Sequence, residues 1–215
     1  NIVLNGKKAT GNEKLAVGDQ IKLFLSDETI EKFSKLQIQK TSCKLDIVYE
    51  DEQILIINKP VGMLSQKAAA NDESLVEHII SYLMETKQIS TEEFRKFKPS
   101  ICNRLDRNTS GLVVAGKTLI GLQKMGEMFK ERSLAKYYRC LVAGEVLKKE
   151  RIQGYLVKDS ATNKVIVSIK ELPDSQPIDT EYNPIWTDGK QTLLEVHLIT
   201  GRTHQIRAHL ASQQH

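Results

Sequence analysis

Apolar positions change their spacing several times along the chain, and each change marks an element. Residues 1–27 set short apolar runs between Asn5-Gly6 and Gly18-Asp19, pairs that favour turns between strands. Residues 28–44 carry Glu31, Lys32, Lys35, Gln37, Gln39 and Lys40 with no Gly or Pro, the pattern of a polar and partly helical linker. From Leu45 the chain reads as one larger unit. Ile47-Val48-Tyr49 and Ile54-Leu55-Ile56-Ile57 flank the acidic Glu50-Asp51-Glu52, predicting a hairpin that Lys59-Pro60 ends. Behind Ser74 and Glu77, a capping-box pair, Leu75, Ile79 and Leu83 repeat every four residues and predict a helix. Ser90 and Glu93 open a second, short helix ahead of Pro99.

Gly111–Gly116 reads as a strand. Thr118 then caps a helix through about Glu131, with Leu119, Leu122, Met125 and Phe129 on one face as core packing. Strands are expected around 137–147, 154–158, 163–170, 178–187 and 192–200, and a helix over Thr203–Ala211. Runs of strands broken by few helices predict an α+β fold with a mixed, mostly antiparallel twisted sheet and flanking helices.

The 215 residues suffice for one core and a small appendage. A formal net charge of +4 is compatible with a nucleic-acid partner, and equally with an ordinary balanced surface. Cys43, Cys102 and Cys140 are odd in number and widely spaced, which gives neither a metal cluster nor a disulfide framework and suits a reducing cytosol. Cys102 lies near Asp106 but has no local His to activate it, so it reads as small core filler. No stretch reaches the roughly 20 apolar residues that span a bilayer. The first residue is Asn, and His215 follows a helical pattern directly, so the sequence reads as part of a longer chain.

The segment Asn103-Arg104-Leu105-Asp106-Arg107-Asn108-Thr109-Ser110-Gly111-Leu112 sets one carboxylate between two arginines. Such an Asp can attack an electron-poor carbon, and such arginines can hold phosphates. On the residues alone, a surface loop with an ion pair explains the pattern equally well. Clustered carboxylates of a metal-dependent nuclease are missing from the sequence.

The segment resembles the RLDR-type motif of pseudouridine synthases that modify ribosomal and transfer RNA. Three further stretches resemble that family in the same order: residues 46–66, DIVYEDEQILIINKPVGMLSQ; residues 134–144, LAKYYRCLVAG; and residues 194–210, LEVHLITGRTHQIRAHL. The likeness covers roughly residues 45–215. Asn103 departs from it, standing where the family usually has His, and Asn108 stands where an acid is common. Residues 1–27 resemble the C-terminal part of the alpha-L RNA-binding module, whose helices would precede residue 1.

The resemblance implies an RNA pseudouridine synthase with a catalytic domain over 45–215, truncated at its C-terminus, that needs no cofactor or metal because the isomerisation has no redox change. It implies Asp106 as nucleophile or base, Arg207 as its bidentate counter-ion, and Tyr138 as the residue that stacks on the uracil. Strand alternation turns the adjacent Tyr137 to the other face. Arg104 would fill the gap left by a flipped uridine, Arg107 would anchor the loop or hold phosphate, and Arg202 would bind substrate. Lys59-Pro60 would support the sheet beneath the site. His204 is expected in structural or backbone contacts. The implied partner is RNA, ribosomal RNA ahead of transfer RNA, for a cytoplasmic monomer with no membrane association. An inactive RNA-binding protein on the same fold, or a glycosylase, are the alternatives.

Overall fold

The computed structural model describes residues 2–34, 41, 44–69, 71–158 and 165–215. Near the N-terminus, β1 (Ile2–Leu4), β2 (Lys7–Lys8) and β3 (Ile21–Leu23) pair antiparallel in the order β2-β1-β3. The two turn signals of the sequence hold this small sheet together. Asn5 Nδ2 donates to Asp19 Oδ1 at 2.8 Å, and the Gln20 amide donates to Asn5 Oδ1 at 2.9 Å. The helix α1 (Asp27–Ser34) opens the stretch expected as a partly helical linker, with Asp27 and Glu28 in its first turn, where the helix dipole favours acids. The remainder of that stretch lies outside the described residues except positions 41 and 44.

The second sheet is built from β4 (Ile47–Glu50), β5 (Ile54–Lys59), β6 (Ser100–Ile101) and β7 (Gly111–Gly116), all antiparallel in the order β4-β5-β7-β6. The predicted hairpin is β4–β5, whereas β6 follows Pro99 unannounced by any apolar run. Between β5 and β6 come α2 (Leu75–Glu85) and α3 (Thr91–Lys96). Both begin at the predicted caps. Glu77 accepts from the Ser74 amide and hydroxyl at 3.2 and 2.6 Å, and Ser90 and Glu93 exchange hydrogen bonds reciprocally. The four-residue repeat then packs on the sheet, so that Leu55, Ile57, Leu75, Ile79, Leu83, Val113 and Ala115 form one buried cluster. The helix α4 (Leu119–Glu131) follows, with Thr118 Oγ1 accepting from the Gly121 amide. Its expected apolar face is partly corrected. Leu122, Met125 and Phe129 are half-buried, but Leu119, in the first turn, is exposed.

The third sheet comprises β8 (Tyr137–Ala143), β9 (Glu150–Lys158), β10 (Val165–Ser168), β11 (Gln176–Thr187) and β12 (Gln191–Leu198) in the order β10-β9-β11-β12-β8, again antiparallel. The α+β, mainly antiparallel architecture read from the sequence is therefore observed, with an isolated parallel bridge between Leu64 and Ser74. A second cluster of Val142, Val146, Tyr182, Leu194, Val196 and Leu210 sits between this sheet and α5 (Gln205–Ser212). Tyr138 packs against both clusters. Among the described residues no helix is long and apolar enough to cross a membrane.

On the inner face of α5, His209 is buried and pairs with Thr180 Oγ1 at 2.9 Å. Burial lowers its pKa, against the opposing pull of Asp179. The folded state thus binds fewer protons at this site than the unfolded chain, and stability is lost as pH falls below the unfolded value. The melting temperature should be level above about pH 6.5 and decline below it, before the carboxylates titrate. In His209→Gln, the decline between about pH 6.5 and 5 should be shallower in thermal melts.

Candidate active site

The loop that carries Asp106 is fixed by polar contacts from both sides. At its start, the Asn103 side chain accepts from the Val114 amide at 2.8 Å and donates to the Leu112 carbonyl at 3.2 Å. In the middle, buried Ser65 donates to the Leu105 carbonyl at 2.6 Å and accepts from the Leu105 amide at 3.1 Å. At its end, the Gly62 amide donates to the Arg107 carbonyl, and Arg107 Nε returns a bond to the Gly62 carbonyl at 3.1 Å. Gly62 sits at φ +89°, a conformation that a side chain would strain. Arg107 is thus tied to Gly62 through both its carbonyl and its side chain.

Beneath the loop lies Lys59, fully buried at the end of β5. Its ammonium donates to the carbonyls of Pro60, Met63 and Arg107 at 3.0, 2.9 and 3.4 Å. Burial lowers its pKa, while the nearby Asp106 charge pulls it back up. The expected supporting role of Lys59 thus takes a specific form. A buried cation gathers three carbonyls of the two segments that frame Asp106 and faces that acid electrostatically.

Asp106 itself is 40% exposed, with His204 Nδ1 at 3.0 Å from its Oδ2. The contact of His204 is thus with the Asp106 side chain. His204 occupies the N-cap position of α5 in the left-handed conformation, φ 54° and ψ 19°, and its side chain makes no cap bond. An imidazole is a poor cap, and a non-glycine residue in this conformation is held there by its surroundings. Buried Gln205 accepts from the Arg202 amide and the Thr200 hydroxyl, and donates to the Asp179 carbonyl and Thr180 Oγ1. That network locks residues 200–205 onto β11 and leaves the His204 ring facing Asp106. The poor cap residue ahead of a clear helix was the sequence signal for this placement.

Tyr138 lies on β8 opposite Val196 and is half-buried. Burial raises the pKa of its phenol, and the Asp106 charge raises it further. The alternation of the strand turns Tyr137 away as expected, although Tyr137 is exposed and stacks on His197 at 4.8 Å. Arg104, Arg202 and Arg207 are all exposed. Arg207 forms no ion pair with Asp106, in contrast to the bidentate pairing expected from sequence. With Gln205 pointing into the sheet, position 207 lies about 200° around the helix and faces solvent. Neither a cavity of about 770 Å3 between Glu50–Glu52 and α3 nor one of about 270 Å3 beside Lys59 and Ser110 contains Asp106, Tyr138 or Arg207. Cys102 and Cys140 are half-buried free thiols that burial pushes up, in keeping with filler.

The fold is an antiparallel α+β one in which Asp106 pairs with His204 and its charge reaches the half-buried Tyr138. The profile of the RNA pseudouridylate synthase family matches residues 53–212, and this chain belongs to that family. An uncharacterised RNA pseudouridine synthase of Mycoplasma pneumoniae is 32% identical over 216 residues, covering 96% of this chain and 64% of its own length. The ribosomal large subunit pseudouridine synthase D of Yersinia pestis is 29% identical over 215 residues, covering 100% of this chain and 62% of its own length. The chain thus spans less than two thirds of either relative. Human RNA pseudouridylate synthase domain containing 1 has the same fold, with a TM-score of 0.63 at 19% identity over 82% of this chain and 69% of that one.

Proposed function

We propose that this chain isomerises uridines in structured RNA to pseudouridine, with large-subunit ribosomal RNA as the favoured substrate and transfer RNA as the other class. The observation that carries the reading is Asp106, an exposed carboxylate held between two parts of the fold, with His204 on one oxygen and Tyr138 within its field. The relatives' names add RNA, and in one case the large ribosomal subunit, as substrate. The reaction breaks the bond from ribose carbon 1 to uracil nitrogen 1 and forms one from the same ribose carbon to uracil carbon 5. The proton on carbon 5 is lost and nitrogen 1 gains one, so atoms balance without a cofactor. Asp106 adds to carbon 6 of the ring, attacks the ribose carbon, or removes a ribose proton; each route needs it ionised and close to the glycosidic bond.

Arg207 is proposed as the counter-ion that joins Asp106 when RNA enters. It lies three residues beyond His204, within one helical turn, and among the described residues no other group holds its guanidinium. Asp106 Oδ1 remains open for it. Arg104 is proposed to fill the gap of the flipped nucleotide, and Arg107 and Arg202 to meet phosphates. The three-stranded N-terminal sheet is proposed as part of an RNA-binding module, joined through a linker to the catalytic domain of a cytoplasmic monomer. Carbodiimide mapping of pseudouridines in total RNA, with and without the gene, tests the activity. An identical map in both would end it.

Tyr138 keeps its proton at neutral pH, because burial and Asp106 both oppose ionisation. This suits a ring that stacks on uracil, worth ~1–3 kcal/mol per base, and a hydroxyl that passes a proton late in the reaction. Tyr138→Phe should therefore slow turnover strongly with RNA affinity preserved, whereas Tyr137→Phe should be near neutral. Single-turnover rates on one RNA decide it, and reversed effects would place the wrong face of β8 in the site.

A further inference from the structure

One half-buried cation near the site takes no part in the scheme above. Lys136 stands just before β8, two residues from Tyr138 and so on the same side of the strand. Its carbonyl accepts from the Leu198 amide at 2.8 Å, which pins the start of β8 to the end of β12. That places its side chain against Gly201, three residues before His204. A Cβ at Gly201 would come within 3.0 Å of Lys136 Nζ, so the absence of a side chain there leaves the ammonium its space.

Among the described residues no carboxylate pairs with Lys136, and no carbonyl accepts from its ammonium. The charge it feels is that of another cation, Arg132, the left-handed C-cap of α4. Burial lowers the Lys136 pKa, and Arg132 lowers it further. A half-buried cation that feels a second cation is unfavourable unless an anion joins them. Lys59 makes the contrast, being a buried ammonium whose carbonyl partners are complete.

Resting on the reading of the chain as an RNA-modifying enzyme, we propose that Lys136, with Arg132 beside it and Gly201 across from it, forms a binding subsite for a phosphate of the RNA strand next to the reactive nucleotide. The position fits: Lys136 lies two residues before Tyr138, and its ammonium lies against Gly201 in the loop that leads to His204 and so to Asp106. A phosphate here satisfies both cations and fixes the backbone beside the flipped base, where strand direction must be held while the detached uracil turns.

The test measures binding of a fluorescent single-stranded oligouridylate over a salt series, in an Asp106→Asn background so that turnover does not enter. Lys136→Gln should weaken binding several-fold at low salt and reduce the salt slope by about 0.7, the value for one phosphate of a single strand. Lys136→Arg should keep most of both. Lys190→Gln, an exposed lysine at the opposite end of β12, serves as control and should change neither. An unchanged slope in Lys136→Gln, or an equal loss in Lys190→Gln, overturns the subsite. If Lys136→Gln melts too early to assay, Lys136→Met takes its place, a slope smaller by about 0.7 supporting the subsite and an unchanged slope overturning it. Failure of the parent reading looks different. The wild-type chain would then bind the oligouridylate with its full slope and make no pseudouridine in any RNA.

Discussion

Asp106→Asn is expected to abolish pseudouridine formation, by at least about 10⁴-fold, while RNA affinity stays within a few-fold of wild type. Asn has the shape of Asp and can still accept from His204 through its amide oxygen, so the loop keeps its form. The Ser65, Asn103 and Arg107 bonds that hold it do not involve the side chain of residue 106. What disappears is the anion, and with it each of the three routes, since an amide neither attacks carbon nor takes a proton. Measurable turnover in protein checked for deamidation would remove Asp106 from its role. A parallel collapse of RNA binding or of the melting temperature would show the residue to be structural.

Arg207→Lys is the second large effect, an expected loss of about 10²–10³-fold in turnover at saturating RNA, with Arg207→Ala at least as severe. An ammonium supplies one point charge where the guanidinium supplies a planar fork matched to a carboxylate. In the RNA-free structure the side chain faces solvent, so neither change should lower the melting temperature. Turnover at saturation and the salt slope of binding, measured on the same variants, separate two roles. Near-normal saturated turnover with a slope smaller by about one unit would make Arg207 a phosphate contact. Asp106 would then keep His204 as its hydrogen-bond partner, with Lys59 and Tyr138 in its field.

Local chemistry was well legible in the sequence. Ser74, Ser90 and Thr118 begin helices where their caps predicted, because a cap is decided by residues three apart. The Asn5-Gly6 turn is likewise local. Strand limits were less legible. β9 begins at Glu150 and β11 at Gln176, in polar stretches that become strand only because a neighbour supplies the ladder. The site divides in the same way. Asp106 and Tyr138 were named from the motifs that carry the family resemblance, and their roles stand as proposals. The partner of Asp106 was not, because His204 lies 98 positions away and its ring is aimed by the Gln205 network on β11. Lys59 was read as support, but nothing local distinguishes a fully buried lysine from an exposed one.

Tyr138 touches both apolar clusters, and the Asp106–His204 bond joins the loop before β7 to the cap of α5. The groups proposed to react therefore also fasten the two sheets together, and neither sheet with its own helices owns a complete set. A uridine seated between Asp106 and Tyr138 becomes part of that fastening. Under the proposed function, such a uridine raises by mass action the stability of both halves together, and the RNA would act as a clamp as well as a reactant.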